Sequence, residues 1–205
     1  MPSPRVTCRL LFTLASMALP LAAFAAPSTF RYDTQHSQIL FSIDHNGFSR
    51  PFGRLHIAQG WLRFDPDDWS HSATELDIDL QSLDMGDADW NAAVLKPAFL
   101  DAGASRYAHF TSTSVERKDA SHGVLHGNLT LRGVTRPVAL SFTFNRMGGT
   151  IFGMHNAVGF SATTTLNRDD FGITANANSI GHGVSVWLEL EAIQDNKVQT
   201  HKETP

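Results

Sequence analysis

The feature that most constrains this chain is a period of two in its apolar residues, repeated in segment after segment. Ile39, Phe41, Ile43 and His45 fall on one face of an extended chain, with Gln38, Leu40, Ser42 and Asp44 on the other. Successive side chains of a strand point to opposite sides of the sheet, so each such segment makes one dry face and one wet one. Leu76, Ile78 and Leu80 alternate with Asp77 and Asp79, two carboxylates that belong in water. The pattern returns in Val138, Leu140, Phe142 and Phe144, and in Val158, Phe160, Ala162, Thr164 and Leu166. It returns again in Val184, Val186, Leu188 and Leu190, opposite Ser185, Trp187, Glu189 and Glu191. Weaker runs at Leu55 to Ile57, Leu62 to Phe64, Phe110 to Val115 and Val124 to Leu131 read as further strands.

Turn chemistry separates these runs. Asn46-Gly47, Arg132-Gly133, Gly148-Gly149 and Gly172 tolerate positive φ, and Pro137 follows its turn, where a lost N–H costs least. Many short strands joined by tight turns make an antiparallel sheet, closed as a barrel or folded as a sandwich; alternation does not choose between them. One segment breaks the period. Asp87 suits a helix N-cap, Trp90, Ala93 and Val94 follow at helical spacing, and Pro97 ends the helix before Phe99-Leu100. Trp90, Val94 and Phe99 then form either a lid over a barrel mouth or, in the plainer reading, a plug in a barrel end.

The first residues are built differently. Arg5 and Arg9 precede an apolar run from Leu10 to Leu21, and Ala23-Phe24-Ala25 offers the small residues a signal peptidase reads. The expectation is a leader over 1–25, a barrel domain over 26–195, a polar tail over 196–205, and a periplasmic destination. The apolar run is too short to cross a bilayer of ~30 Å as a helix, so a protein integral to the membrane is not expected. Formal charge is −4, or −6 without Arg5 and Arg9, with no dense basic run. Nucleic acid, which demands a basic footprint, is therefore not an expected partner. Fourteen phenylalanines against two tyrosines suit surroundings with nothing polar to meet, whether a lipid cavity or an ordinary core.

Catalytic and metal signatures do not emerge. Cys8, the single cysteine, lies in the leader, which leaves no thiol nucleophile or thiolate ligand after cleavage. His122 and His126 stand four apart, ~13 Å in an extended chain, too far for joint coordination. Neither a Gly-x-Ser-x-Gly elbow nor a phosphate loop occurs, and Asp77 and Asp79 sit opposite the apolar face with no cleft to work in. No enzyme, cofactor or metal is expected. Arg168, Asp169 and Asp170 read as a turn held by side-chain hydrogen bonds rather than as a charged site.

Four passages carry a family likeness over about residues 32–193. They are Asp33-Thr34-Gln35-His36-Ser37 leading into Ile39 to His45 and on to Gly53, Gly60 to Asp65, Gly127 to Val138, and Asn167 to Ile173. Together the chain resembles the YceI-like lipid/polyisoprenoid-binding family. It departs from the family pattern between Ser82 and Phe110, where Asp87-Ala88-Asp89-Trp90 and Arg106-Tyr107-Ala108-His109 stand. The resemblance implies an all-β, lipocalin-like eight-stranded antiparallel barrel with a short helix near one end. It also implies an isoprenoid or other long-chain lipid held inside, for transport or storage.

On that expectation the ligand-binding residues are Ile39, Phe41, Ile43, His45, Leu76, Ile78, Phe142, Phe144, Phe160 and Leu188. Alternation alone reads the apolar ones more simply as packed core. His45 either meets a headgroup or is a satisfied buried histidine. Burying about ten methylene-like groups at ~0.8 kcal/mol each contributes roughly 8 kcal/mol, about micromolar affinity before ordering costs, so no strong polar anchor is required. Trp187 among Glu189 and Glu191 motivates a second reading. In it a filled barrel scaffolds an envelope partner such as a membrane redox protein, with a homodimer left open.

Overall fold

The computed structural model describes residues 28–151, 155–195 and 197; the leader expected over 1–25 and nearly all of the tail expected over 196–205 lie outside them. Nine strands and one α-helix are found among the described residues. In chain order they are β1 (Ser28–Tyr32), β2 (Gln38–His45), β3 (Phe52–Phe64), β4 (Ala73–Asp84), α1 (Ala88–Val94), β5 (Tyr107–Arg117), β6 (His122–Leu131), β7 (Val134–Gly149), β8 (Asn156–Asn167) and β9 (Ile180–Gln194). All strand pairs are antiparallel, and the sheet closes as a barrel because β3 pairs with both β2 and β4.

Nine strands fill eight positions in the barrel. β1 and β2 both lie between β3 and β9, β1 against Trp61 to Phe64 and Ala192 to Gln194, β2 against Phe52 to Leu55 and farther back along β9. They are one strand interrupted at Asp33–Ser37, where Tyr32 faces Ala192 and Gln38 faces Glu189. The extra residues loop out because the Asp33 carboxylate accepts the N–H groups of Gln35 and His36, and its main-chain oxygen accepts that of Ser37. Partial burial pushes the Asp33 carboxyl up, but the His36 ring and the N–H groups of Gln35 and His36 together outweigh it and hold the pKa below its usual value.

The two weak runs at Leu55 to Ile57 and Leu62 to Phe64 belong to one long strand, β3. Gly60 sits inside it, where a Cβ would fall 2.7 Å from the Leu76 side chain and from the Glu75 carbonyl of β4. Only glycine lets the two strands approach there. Between β6 and β7, Arg132 and Gly133 both take positive φ, 55° and 74°, and join Leu131 to Val134 as a two-residue hairpin. Gly148-Gly149 is not a turn: both residues pair with β8. Pro137 lies within β7, at a point where the strand is paired with β6 only, since its ladder with β8 begins at Ser141.

One end of the barrel is solid. Trp69, 2 % exposed, enters from a short 3-10 turn capped by Asp68 and meets Phe142 at 5.3 Å between ring centroids. Phe64 packs on Phe144 at 5.1 Å and edge-on to Phe160 at 5.2 Å, and the Arg117 guanidinium lies 4.6 Å from the centre of the Trp69 ring. Beside this cluster Tyr32 donates its hydroxyl hydrogen to Thr74 Oγ1 at 2.7 Å, and Thr74 Oγ1 donates in turn to the Trp61 carbonyl at 2.7 Å.

Burial pushes the Tyr32 hydroxyl up to about 12, against 10 for a free tyrosine. The raised value means that the folded chain keeps a proton the unfolded chain has lost. The stabilisation is complete below pH 10 and disappears between pH 10 and 12, by about 3 kcal/mol. Urea unfolding at pH 9 and pH 11.5 is expected to show about 2 kcal/mol of this loss in the native chain and none of it in Tyr32→Phe. Parallel curves for the two proteins would remove tyrosine ionisation as the cause.

Candidate functional site

The other end of the barrel is hollow. A cavity of about 390 Å³ opens there, with Ile39, Phe41, Ile43, Leu55, Ile78 and Leu80 of β2, β3 and β4 on one side. Leu129, Leu131, Leu166, Val184 and Val186 line the opposite side. Alternation places these side chains inward, while their neighbours Asp77 and Asp79 pair outside with His109 and Arg106. Phe41 can lie against the wall because its cross-strand partner is Gly53, where a Cβ would collide with the Phe41 ring and with Met85.

The roof is α1 and the segment after it. The Asp87 carboxylate accepts the Trp90 N–H at 2.9 Å, the capping bond expected from the sequence. Asn91 Oδ1 accepts the Met85 N–H at 2.6 Å and ties the helix to the end of β4. Arg132, at the tip of the β6–β7 hairpin, donates to the carbonyls of Pro97 and Phe99 and so fastens the far side of the roof. Trp90, Ala93, Val94, Phe99 and Leu100 face the cavity, yet no residue of α1 is buried. Of the two readings of this segment the structure matches the lid: the helix covers a void, and with seven residues, none of them buried, it does not fill the end.

Three polar side chains share the cavity wall: His45, Asn176 and Arg168. His45 is exposed at the end of β2, its ring 5.7 Å from that of Trp90. Arg168 is 4 % exposed and has no carboxylate within ion-pair distance among the described residues. Its guanidinium donates instead to the carbonyls of Gly181 (2.9 Å), Ile173 (2.6 Å), Ala175 (2.9 Å) and Ile180 (3.0 Å). That fork holds the connection between β8 and β9, which brings Phe171, Ile173 and Ile180 to the cavity. Asn167 caps the turn by accepting the Asp169 N–H, and Gly172 ends it at φ 72°. The Asn167 to Ile173 passage is thus a turn held by side-chain bonds, with a buried arginine at its centre.

The ten residues singled out by sequence divide by depth. Ile39, Phe41, Ile43, His45 and Ile78 line the open cavity. Leu76, Phe142 and Phe160 line a second void of about 80 Å³ nearer the solid end, and Phe144 belongs to the aromatic cluster there. Leu188 is buried between the two. Sequence reading passed over Leu55, which sits in a run too short to stand out. It also passed over Phe171 and Ile173, which lie in irregular chain where no periodicity points. Trp69 carried only the weak signal of a preceding capping aspartate.

A closed antiparallel barrel with an apolar chamber at one end and a helix across it is a lipocalin-like binding barrel in form. The YceI-like domain model matches residues 30–192, and the chain belongs to that family. A UPF0312 protein of Shewanella baltica is 31 % identical over 180 residues, covering 88 % of this chain and 94 % of its own length. A UPF0312 protein of Vibrio cholerae is 32 % identical over 180 residues with the same coverage. Among solved structures, Burkholderia cenocepacia BcnA superposes with a TM-score of 0.71 at 19 % identity, over 78 % of this chain and 99 % of its own. A polyisoprenoid binding domain from Saccharophagus degradans, implicated in plant cell wall breakdown, gives 0.59 at 14 % identity, over 81 % and 98 %. These likenesses establish the fold. No helix among the described residues is long and apolar enough to cross a membrane.

Proposed function

We infer that this protein is exported to the periplasm after loss of residues 1–25, and that its barrel binds an isoprenoid-type lipid, a polyprenyl chain or isoprenoid quinone, for transport or storage. The observation that carries the reading is the chamber of about 390 Å³ walled by aliphatic and aromatic side chains beneath α1. A volume of this order is that of a small-molecule site, and its few polar groups fit a ligand that is mostly hydrocarbon. The Saccharophagus degradans domain of the same fold, named for polyisoprenoid binding, supports the ligand class. Ile39, Phe41, Ile43 and Ile78 contact the chain, Leu76, Phe142, Phe160, Phe144 and Leu188 back it from below, and His45, Asn176 and Arg168 stand where a headgroup would be. The reading is of a binding protein and assigns no residue a catalytic part.

Protein purified from its own envelope without denaturation is expected to carry a prenyl lipid visible by native mass spectrometry. An empty barrel with no affinity for polyprenols or quinones would overturn the reading. One observation favours an outward role as well. Phe52 and Trp187 meet at 5.7 Å between ring centroids, tilted by 49°, on the outer wall while 60 % and 38 % exposed, which suits docking on an envelope partner such as a membrane redox protein. In-cell cross-linking from Trp187 that captures one partner repeatedly would support it, and capture of no partner would count against it.

A further inference from the structure

We propose that the buried layer below the chamber is a chain-length stop, so that the barrel takes about three to four prenyl units and no more. This rests on the lipid reading above and adds which lipids it accepts. Three strands show where the chamber ends. Along β4, Ile78 and Leu80 line the chamber while Leu76 lines the separate small void; along β5, Ala108 lines the chamber and Phe110 the void. Along β9, Val186 is in the chamber, Leu190 at the void, and Leu188 is buried between them. The partition is therefore one layer thick, with Leu76, Phe110 and Leu188 in it, and each is at most 7 % exposed.

Phe110 lies along its own wall, its ring over the neighbouring strand β6. A Cβ at Gly127 would collide with the Phe110 ring, so the glycine leaves the space that ring occupies. Beneath the partition stands the aromatic cluster, where Phe142 and Phe160 meet edge-on at 5.9 Å. A hydrocarbon chain entering under α1 meets this stack and has no further depth. At the roughly 27 Å³ that a methylene takes at interior packing density, a chamber of about 390 Å³ holds on the order of fourteen carbons. Three prenyl units carry fifteen.

The experiment measures affinity for prenols of two, three, four, six and nine units, delivered from a cyclodextrin carrier and read by native mass spectrometry. Each unit up to the third is expected to tighten binding at least tenfold, since its methylenes leave water. Units beyond the fourth should add less than threefold, because they stay outside. Phe110→Ala joins the chamber to the small void and is expected to move the break one to two units longer. Ala108→Phe fills the chamber from its wall and is expected to weaken the three-unit prenol more than tenfold while sparing the two-unit one; it serves where Phe110→Ala does not fold. Affinity that climbs steadily to nine units in the native chain, or a break that neither variant moves, overturns the stop and leaves the lipid reading standing. Binding of no prenol at any length overturns the lipid reading, and the stop with it.

Discussion

Arg168→Ala is expected to lower the folding stability by about 3–5 kcal/mol, the low end of what four orphaned buried carbonyls would cost. The cost comes from what is left behind. Four main-chain carbonyls, those of Gly181, Ile173, Ala175 and Ile180, lose a charge-assisted donor at once. A buried acceptor without a partner costs ~1–3 kcal/mol, so partial rehydration is already allowed for in the total. Arg168→Lys is expected to recover less than half of the loss, because one ammonium cannot reach carbonyls that a planar fork spans in several directions. Urea midpoints of the three proteins decide it. A change below about 1 kcal/mol for Arg168→Ala would mean that the connection between β8 and β9 is held by the packing of Phe171 and Ile173 alone.

The role of that arginine marks where sequence reading stopped. Arg168 beside two aspartates reads as a turn held by side-chain hydrogen bonds, as it is. Arginine is seldom buried, however, and the acidic neighbours seem to answer its charge, so its inward course is not announced. In the fold Asp169 pairs with His182 at 2.5 Å, and the guanidinium turns inward to carbonyls thirteen or fewer positions along the chain. Main-chain acceptors are anonymous in a sequence; any residue supplies one. The strands, by contrast, were legible because their signal is side-chain pattern, and Ile39 to His45 or Val184 to Leu190 display it directly.

Depth along the barrel was not legible. Ile78 and Leu76 are two positions apart on one face of β4, yet one lines the open chamber and the other the small void. A period of two says which side of the sheet a residue takes and nothing of how far down the axis it lies. The same limit explains Phe144, inward as expected but locked between Phe64, Trp69 and Phe160. Trp69 closes that end from a connection between strands, where no alternation exists to announce it. The broken first strand was hidden for another reason: β1 has only five residues, Ser28–Tyr32, and its pairing with β9 reaches across the whole length of the chain.

Ile78→Glu is expected to weaken binding of a three-unit prenol at least a hundredfold at pH 7.5 while leaving the barrel folded. Ile78 faces the chamber, only partly buried, so in the empty protein a carboxylate there can keep water. When the chain enters, that water leaves. The glutamate must then either sit charged against hydrocarbon or take up a proton, and each costs several kcal/mol. The two outcomes separate by pH. Apolar surroundings raise a carboxyl's pKa, so lowering the pH toward 4.5 is expected to restore much of the affinity of Ile78→Glu and to leave that of the native chain unchanged. Ile78→Gln, polar but without charge, should lose less at pH 7.5 and show no such recovery. Thermal unfolding of each variant checks that the loss is one of binding. Should Ile78→Glu bind the prenol as the native chain does, the hydrocarbon is not in the chamber beneath α1, and the exposed pair Phe52 and Trp187 on the outer wall becomes the surface to test.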